Sequence, residues 1–253
     1  MTAKDLDHFF RSFLDIEGFS GIDSSMNGLQ IDNNGAEIKK IAFAVDASLE
    51  TFKRAAAGFA GMLFVHHGLY WGSPLPITGA FRERLNCMLS NNTALYAVHL
   101  PLDAHPALGN NAVLCNLLGV ENREPFGLYH ARKIGYKGTL ARPLTIEDAL
   151  SKISFMQRPP SAILPFGKKE SATCAVVSGG AAMEAVQAID ENIDLYITGE
   201  SSHTLYHYAL ESGLNFIAGG HYNTEVWGVR AVMEHCQKEL GIETEFIDLP
   251  TGM

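Results

Sequence analysis

Ten histidines occur in the 253 residues, and their positions say more than their number. His66 and His67 follow directly on the apolar run Met62-Leu63-Phe64-Val65. His99 follows Ala94-Leu95-Tyr96-Ala97-Val98, with Asp103 four residues later in His-Leu-Pro-Leu-Asp. His221 lies three residues past Ala218 in Gly-Gly-His-Tyr-Asn-Thr-Glu, and Glu225 stands four residues beyond it. Imidazoles and carboxylates delivered in this way are the ligand types of a divalent-metal centre.

Spacing sharpens that chemistry. Neighbouring residues of an extended chain point to opposite sides, so His66 and His67 suit two adjacent metals, one imidazole each. His221 and Glu225 stand at i, i+4, on one face of a helix expected to begin near Asn223 or Thr224. A carboxylate such as Glu225 can bridge metals ~3.5–4 Å apart, and Asp103 completes the set on a loop held by Pro101. Two divalent cations outweigh the two carboxylates in charge, which favours a bridging hydroxide and an anionic substrate. Zinc, manganese, iron and nickel all accept such mixed ligation. The plainer alternative makes each strand-end histidine a hydrogen-bonded surface residue; three separate strands delivering ligand types to one edge weigh against it.

A second cluster, Thr198-Gly199-Glu200-Ser201-Ser202-His203-Thr204-Leu205-Tyr206-His207, also follows an apolar run. Glu200 is a candidate general acid or base and His203 a proton carrier or phosphate contact. The alternative is a helix start capped by Ser201 or Ser202, with His207 on the same face as His203 and turned to solvent. The turn Ser178-Gly179-Gly180 could cradle a phosphate, but close packing explains its glycines better. Asn110-Asn111 reads as a helix cap. His8, His105, His130 and His235 carry no assigned role.

The elements that must position these residues are short apolar runs alternating with helical patterns. Strands are expected at Lys40–Val45, Met62–Val65, Ala94–Val98, Cys174–Val177, Asp194–Thr198 and Leu214–Ala218, and helices at Thr51–Ala60 and Ala181–Ile189. Such runs belong to α/β folds whose sheets are covered on both faces, with ligands outside the carboxyl ends of the strands. The polar, glycine-containing stretch 121–138 suggests a division of the chain there. Apolar residues make up 47% and charged residues 19%, which excludes a disordered chain. A net charge of −9 disfavours nucleic acid as a partner. Cys87, Cys115, Cys174 and Cys236 form no C-x-x-C pair, and no secretory leader or membrane span is visible. A cytoplasmic protein is expected.

Taken in order, these residues resemble a known family, the type 2 homologues of GTP cyclohydrolase I, or Nif-three-like proteins. The resemblance runs through Asn27-Gly28-Leu29-Gln30, Val45-Asp46, His66-His67-Gly68, His99 to Asp103, Thr198-Gly199-Glu200 with His203, and Gly220-His221 with Glu225. Family members often have His-His-Pro and His-Thr-Asn-Leu-Asp where this chain has Gly68 and Pro101. The resemblance implies two divalent metals on His66, His67, Asp103, His221 and Glu225, with His99, Glu200 and His203 lining the site. It also implies two interlocked α/β units with mixed sheets covered by helices, in the short form without an inserted domain. Residues 1–128 plus 219–253 would form the first unit and 129–218 the second. A hexameric ring, a trimer of dimers, is implied as well, with hydrolytic ring opening of a nucleotide as the activity. The alternative is a non-catalytic ring that delivers or senses metal, or acts as a scaffold.

Overall fold

The computed structural model describes residues 1–253. In chain order the first half gives α1 (Ala3–Phe13), β1 (Gly28–Ile31), β2 (Lys40–Asp46), α2 (Leu49–Ala57), β3 (Met62–His67), α3 (Gly79–Ser90), β4 (Ala94–Ala97), α4 (Leu100–Ala104) and α5 (Asn110–Leu118). There follow β5 (Val120–Tyr129), β6 (Arg132–Leu144), α6 (Ile146–Ile153), β7 (Ala162–Pro165), β8 (Ser171–Val176) and α7 (Ala185–Asp190). The chain ends with β9 (Leu195–Thr198), α8 (Leu205–Ser212), β10 (Asn215–Ala218), α9 (His221–Leu240) and β11 (Glu243–Phe246). The fold class is mixed α/β with two mixed sheets. No helix is long and apolar enough to cross a membrane.

Two compact units share the chain. The first comprises Met1–Leu102 and Val229–Leu249, the second Asp103–Gly228 and Pro250–Met253. Two of the three crossings fall inside α4 and α9, where composition gives no signal, and the third follows Leu249, past β11. The polar stretch 121–138, read from the sequence as a dividing region, instead forms the β5–β6 hairpin within the second unit.

The first unit holds a five-stranded sheet of order β1-β4-β3-β2-β11, with β1 antiparallel to β4 and the other neighbours parallel. Alternation along the central strands sorts their apolar side chains to two faces. Ile41, Phe43, Met62, Phe64 and Tyr96 pack with Leu6 and Phe10 of α1 and with Val229 and Val232 of α9. Ala42, Ala44, Leu63, Val65 and Leu95 pack with Phe52 of α2 and with Leu85 and Met88 of α3. Burial on both faces explains why these strands read as unbroken apolar runs.

The second unit holds a six-stranded sheet of order β5-β6-β8-β9-β10-β7. Its centre, β8-β9-β10, is parallel, and β6 and β7 flank it antiparallel. Cys174, Val176, Leu195, Ile197 and Ile217 face Leu114 and Leu118 of α5 and Ala149 and Ile153 of α6. In each unit the parallel strands end at the residues the sequence marked. Asp46, His67 and His99 stand at or just past the ends of β2, β3 and β4, and Ser178, Glu200 and His221 just past β8, β9 and β10. All four cysteines are free thiols, and burial pushes the Cys115 thiol up to about 12.

Candidate metal centre

In the first unit, three imidazoles converge at the strand ends. His66 is fully buried at the end of β3, and its Nδ1 lies 2.9 Å from the Val98 carbonyl oxygen beyond β4. The Nδ1 of His67 lies 2.8 Å from Asp46 Oδ1, on the opposite neighbour β2. His99 Nδ1 lies 2.9 Å from Asp23 Oδ1. Each Nδ1 facing an oxygen is assigned as the protonated nitrogen, which makes Nε2 the lone-pair atom. One ring nitrogen from each of His66, His67 and His99 comes within 4.8 Å of the others.

The expectation that His66 and His67 point to opposite sides is not met at this position. Their ring centroids are 4.6 Å apart with planes inclined by 47°. The doublet sits at the very end of β3, where Val98 and Asp46 steer the rings rather than the regular pleat.

In the second unit, two buried carboxylates and one imidazole gather around the Ser178-Gly179 turn. Asp103 is 5% exposed and Glu225 2% exposed. Asp103 Oδ1 accepts from the Ser178 hydroxyl at 2.8 Å and from Asn110 Nδ2 at 2.9 Å. Helix α9 begins at His221, earlier than the spacing suggested, because Gly220 takes φ +97 and the His221 amide donates to the Met253 carbonyl at 3.0 Å. The i, i+4 pair is nevertheless aligned, with His221 Nε2 3.1 Å from Glu225 Oε1. Gly179 allows this approach. It has φ +69, and a Cβ there would lie 2.4 Å from Glu225 Oε1, so close packing is its role.

Glu200 is placed against His221, its Oε1 2.6 Å from Nδ1. Burial disfavours a charged His221, but the Glu225 and Glu200 carboxylates outweigh it and raise the pKa to about 9. His203 is exposed in the turn before α8, so it does not share a helix face with His207, which is exposed on α8 itself. The serine cap given as the alternative is not formed either. Thr204 is the N-cap of α8 and makes no side-chain cap bond, and Ser202 bonds the Thr204 hydroxyl instead.

The sequence drew attention to Asn110 and Asn111 but concealed their task. They do not cap α5, whose N-cap is Gly109. Both are fully buried. Asn110 Oδ1 accepts from the Gly228 amide at 2.7 Å while its Nδ2 holds Asp103. Asn111 Nδ2 donates to the Ile134 and Asp103 carbonyls, and its Oδ1 accepts from the Ser178 amide at 2.7 Å. Two adjacent asparagines opening a helix whose other residues, the exposed Asn116 aside, are apolar were the available signal. Asp46 and Asp23 also orient imidazoles from distant positions.

Neutral imidazole with carboxylate suits first-row divalent ions, and these histidine and acidic groups could hold a metal ion. The donor chemistry therefore fits a metal.

A family model described as Duf34/NIF3 (NGG1p interacting factor 3) matches residues 1–251. The chain is 40% identical over 286 residues to a Treponema pallidum protein named GTP cyclohydrolase 1 type 2 homolog, covering 100% of both. It is 42% identical over 253 residues to a protein of the same name from Archaeoglobus fulgidus, again over 100% of both. Among solved structures, TTHA1606 from Thermus thermophilus is similar with a TM-score of 0.90 and 34% identity, with 100% of each chain covered.

Proposed function

Because the chain belongs to the Duf34/NIF3 (NGG1p interacting factor 3) family, we propose that it is a dinuclear-metal-dependent hydrolase. Its substrate is an anionic nucleotide whose purine ring it opens, as the relatives' name GTP cyclohydrolase 1 type 2 homolog suggests. The observation that carries this reading is the shared treatment of the imidazoles. His66, His67 and His221 each commit Nδ1 to a protein oxygen, which is how metal-binding histidines are oriented. We assign two cations, zinc, manganese, iron or nickel, to His66, His67, Asp103, His221 and Glu225. When bound, such a pair supplies Lewis acidity and a water of lowered pKa.

The protein's own groups then have separate tasks. Asp46 and Glu200 fix the tautomers of His67 and His221. Ser178 and Asn110 hold Asp103 in one rotamer through Oδ1. Glu200 also holds a proton at His221 Nδ1, and the exposed His203 exchanges protons with solvent. We further propose a hexameric ring, a trimer of dimers, working in the cytoplasm, with no nucleic-acid partner because the net charge is −9.

The test loads the protein with each of the four metals, supplies GTP, and measures formate release beside metal content. Turnover with at least one metal is expected, and its loss in Glu200→Gln when both proteins are compared at saturating metal and equal metal content. Metal-replete protein that turns over neither GTP nor a panel of phosphoesters would overturn the hydrolase reading in favour of a non-catalytic metal-binding ring. Protein that retains no metal would remove both.

A further inference from the structure

The segment from Asp23 to Gln30, which includes the Asn27-Gly28-Leu29-Gln30 motif, has no task in the reading above. Its contacts supply one. The Asp23 side chain is 1% exposed. Its carboxylate accepts from His99 Nδ1 at 2.9 Å, Leu100 N at 3.0 Å, Asn27 Nδ2 at 2.8 Å and Ser25 N at 2.9 Å. Asn27 Oδ1 in turn accepts from the His99 amide at 2.7 Å. The strand end that carries His99 is therefore held at its backbone and at its ring by the same two side chains.

Three residues further, Gln30 does the equivalent for β3. Its Oε1 accepts from the Leu69 amide at 2.8 Å and its Nε2 donates to the Met26 carbonyl at 2.7 Å. Its side chain fills the space beside Gly68, where a Cβ would lie 2.4 Å from Gln30 Nε2 and 2.6 Å from Ala97 Cβ. Strand β1, paired to β4 with Gly28 opposite Ala97, keeps Asn27 and Gln30 in this register. Trp71 closes the other side, edge-on to His99 at 4.9 Å and bonded through Nε1 to the Gly68 carbonyl at 3.1 Å.

Asp23 thus treats His99 as Asp46 treats His67. The His99 ring stands 5.1 Å from His66 and 5.7 Å from His67, centroid to centroid. We propose that His99 is a third metal-binding imidazole of the first unit, and that Asp23, Asn27 and Gln30 are the positioning residues that aim it and the His66–His67 doublet. The proposal rests on the metal-binding reading above and adds a donor to the five assigned there.

Cobalt(II) is the probe, because its visible spectrum reports the ligand set directly. The full-length chain is titrated with Co2+ against a chromophoric chelator, and the bands of the loaded protein are recorded. His99→Ala is expected to change those bands and to weaken one cobalt by about tenfold or more. Asp23→Asn is expected to weaken it by about 10–100-fold. In the metal-free protein, 15N shifts of the imidazoles should move from the Nδ1–H form to mixed tautomers at His99 alone. A wild-type chain that takes up no cobalt overturns the metal reading and this proposal with it. Wild-type uptake with unchanged bands and affinity in His99→Ala overturns this proposal alone. Should Asp23→Asn fail to fold, His99→Gln, at a partly exposed position, gives the same spectral decision.

Discussion

At the scale of single residues, the consequence of surrounding His221 with carboxylates is a proton. With its pKa at about 9, the metal-free ring is charged at neutral pH, and a metal must displace that proton to bind. Apparent affinity should therefore climb about tenfold per pH unit up to pH ~9. Calorimetric titration of zinc in buffers of different ionisation enthalpy reads the released proton, and Glu200→Gln should flatten the dependence. For the metal-free fold the sign is opposite. The raised pKa stabilises it below the ordinary histidine value of 6.5 and the contribution fades as the pH rises through about 9. Asn111→Ala is expected to cost ~1–3 kcal/mol in urea unfolding, because it leaves the buried Ser178 amide without its acceptor.

At the scale of elements, two connections of the second unit tolerate substitution poorly. Gly179→Ala adds a methyl group against Glu225 at a left-handed backbone position. A loss of ~1–3 kcal/mol is expected, with lowered metal content measured on the same sample. Asp194, at the start of β9, accepts from the Ala172 and Thr173 amides and pairs with Lys168. Burial would raise its pKa, but those partners outweigh burial and hold it below 3.8. Its stabilisation is thus complete above that value and lost as the pH falls through the lower folded one. Asp194→Asn should remove this acid limb from thermal melts recorded across roughly pH 2–6. Elements of this kind were unequally legible. The parallel strands announced themselves as apolar runs because both faces are buried, and their carboxyl ends located His66, His67, His99 and His221. The β5–β6 hairpin, half-exposed along its length, gave no such run. Asn110 and Asn111 read only as a cap, Ser178 only as part of a glycine turn and Asp46 only as a strand end, while Asp23 carried no reading, because the partners that give these residues their tasks lie far away in sequence. Ser178 meets Asp103 across 75 residues and His99 meets Asp23 across 76, separations that local spacing does not encode.

For the whole molecule, metal binding should appear as thermal stability. Zinc at a hundredfold excess over its dissociation constant adds ~2.7 kcal/mol, so the melting temperature should rise on adding zinc to chelator-treated protein. Glu225→Ala should abolish that rise. The interrupted layout of the first unit has a further outcome during biosynthesis. Its sheet is completed by β11, which pairs with β2 through Glu243 to Phe246, and its core by the part of α9 after Val229. A nascent polypeptide therefore displays the bare backbone of β2 until Glu243 to Phe246 have been made, and bare edges invite illegitimate pairing. The second unit has all its strands by Ala218, so the portion translated later is the one able to mature earlier. A chain stopped after Leu240 should precipitate, whereas the full-length product remains dispersed in a sedimentation assay.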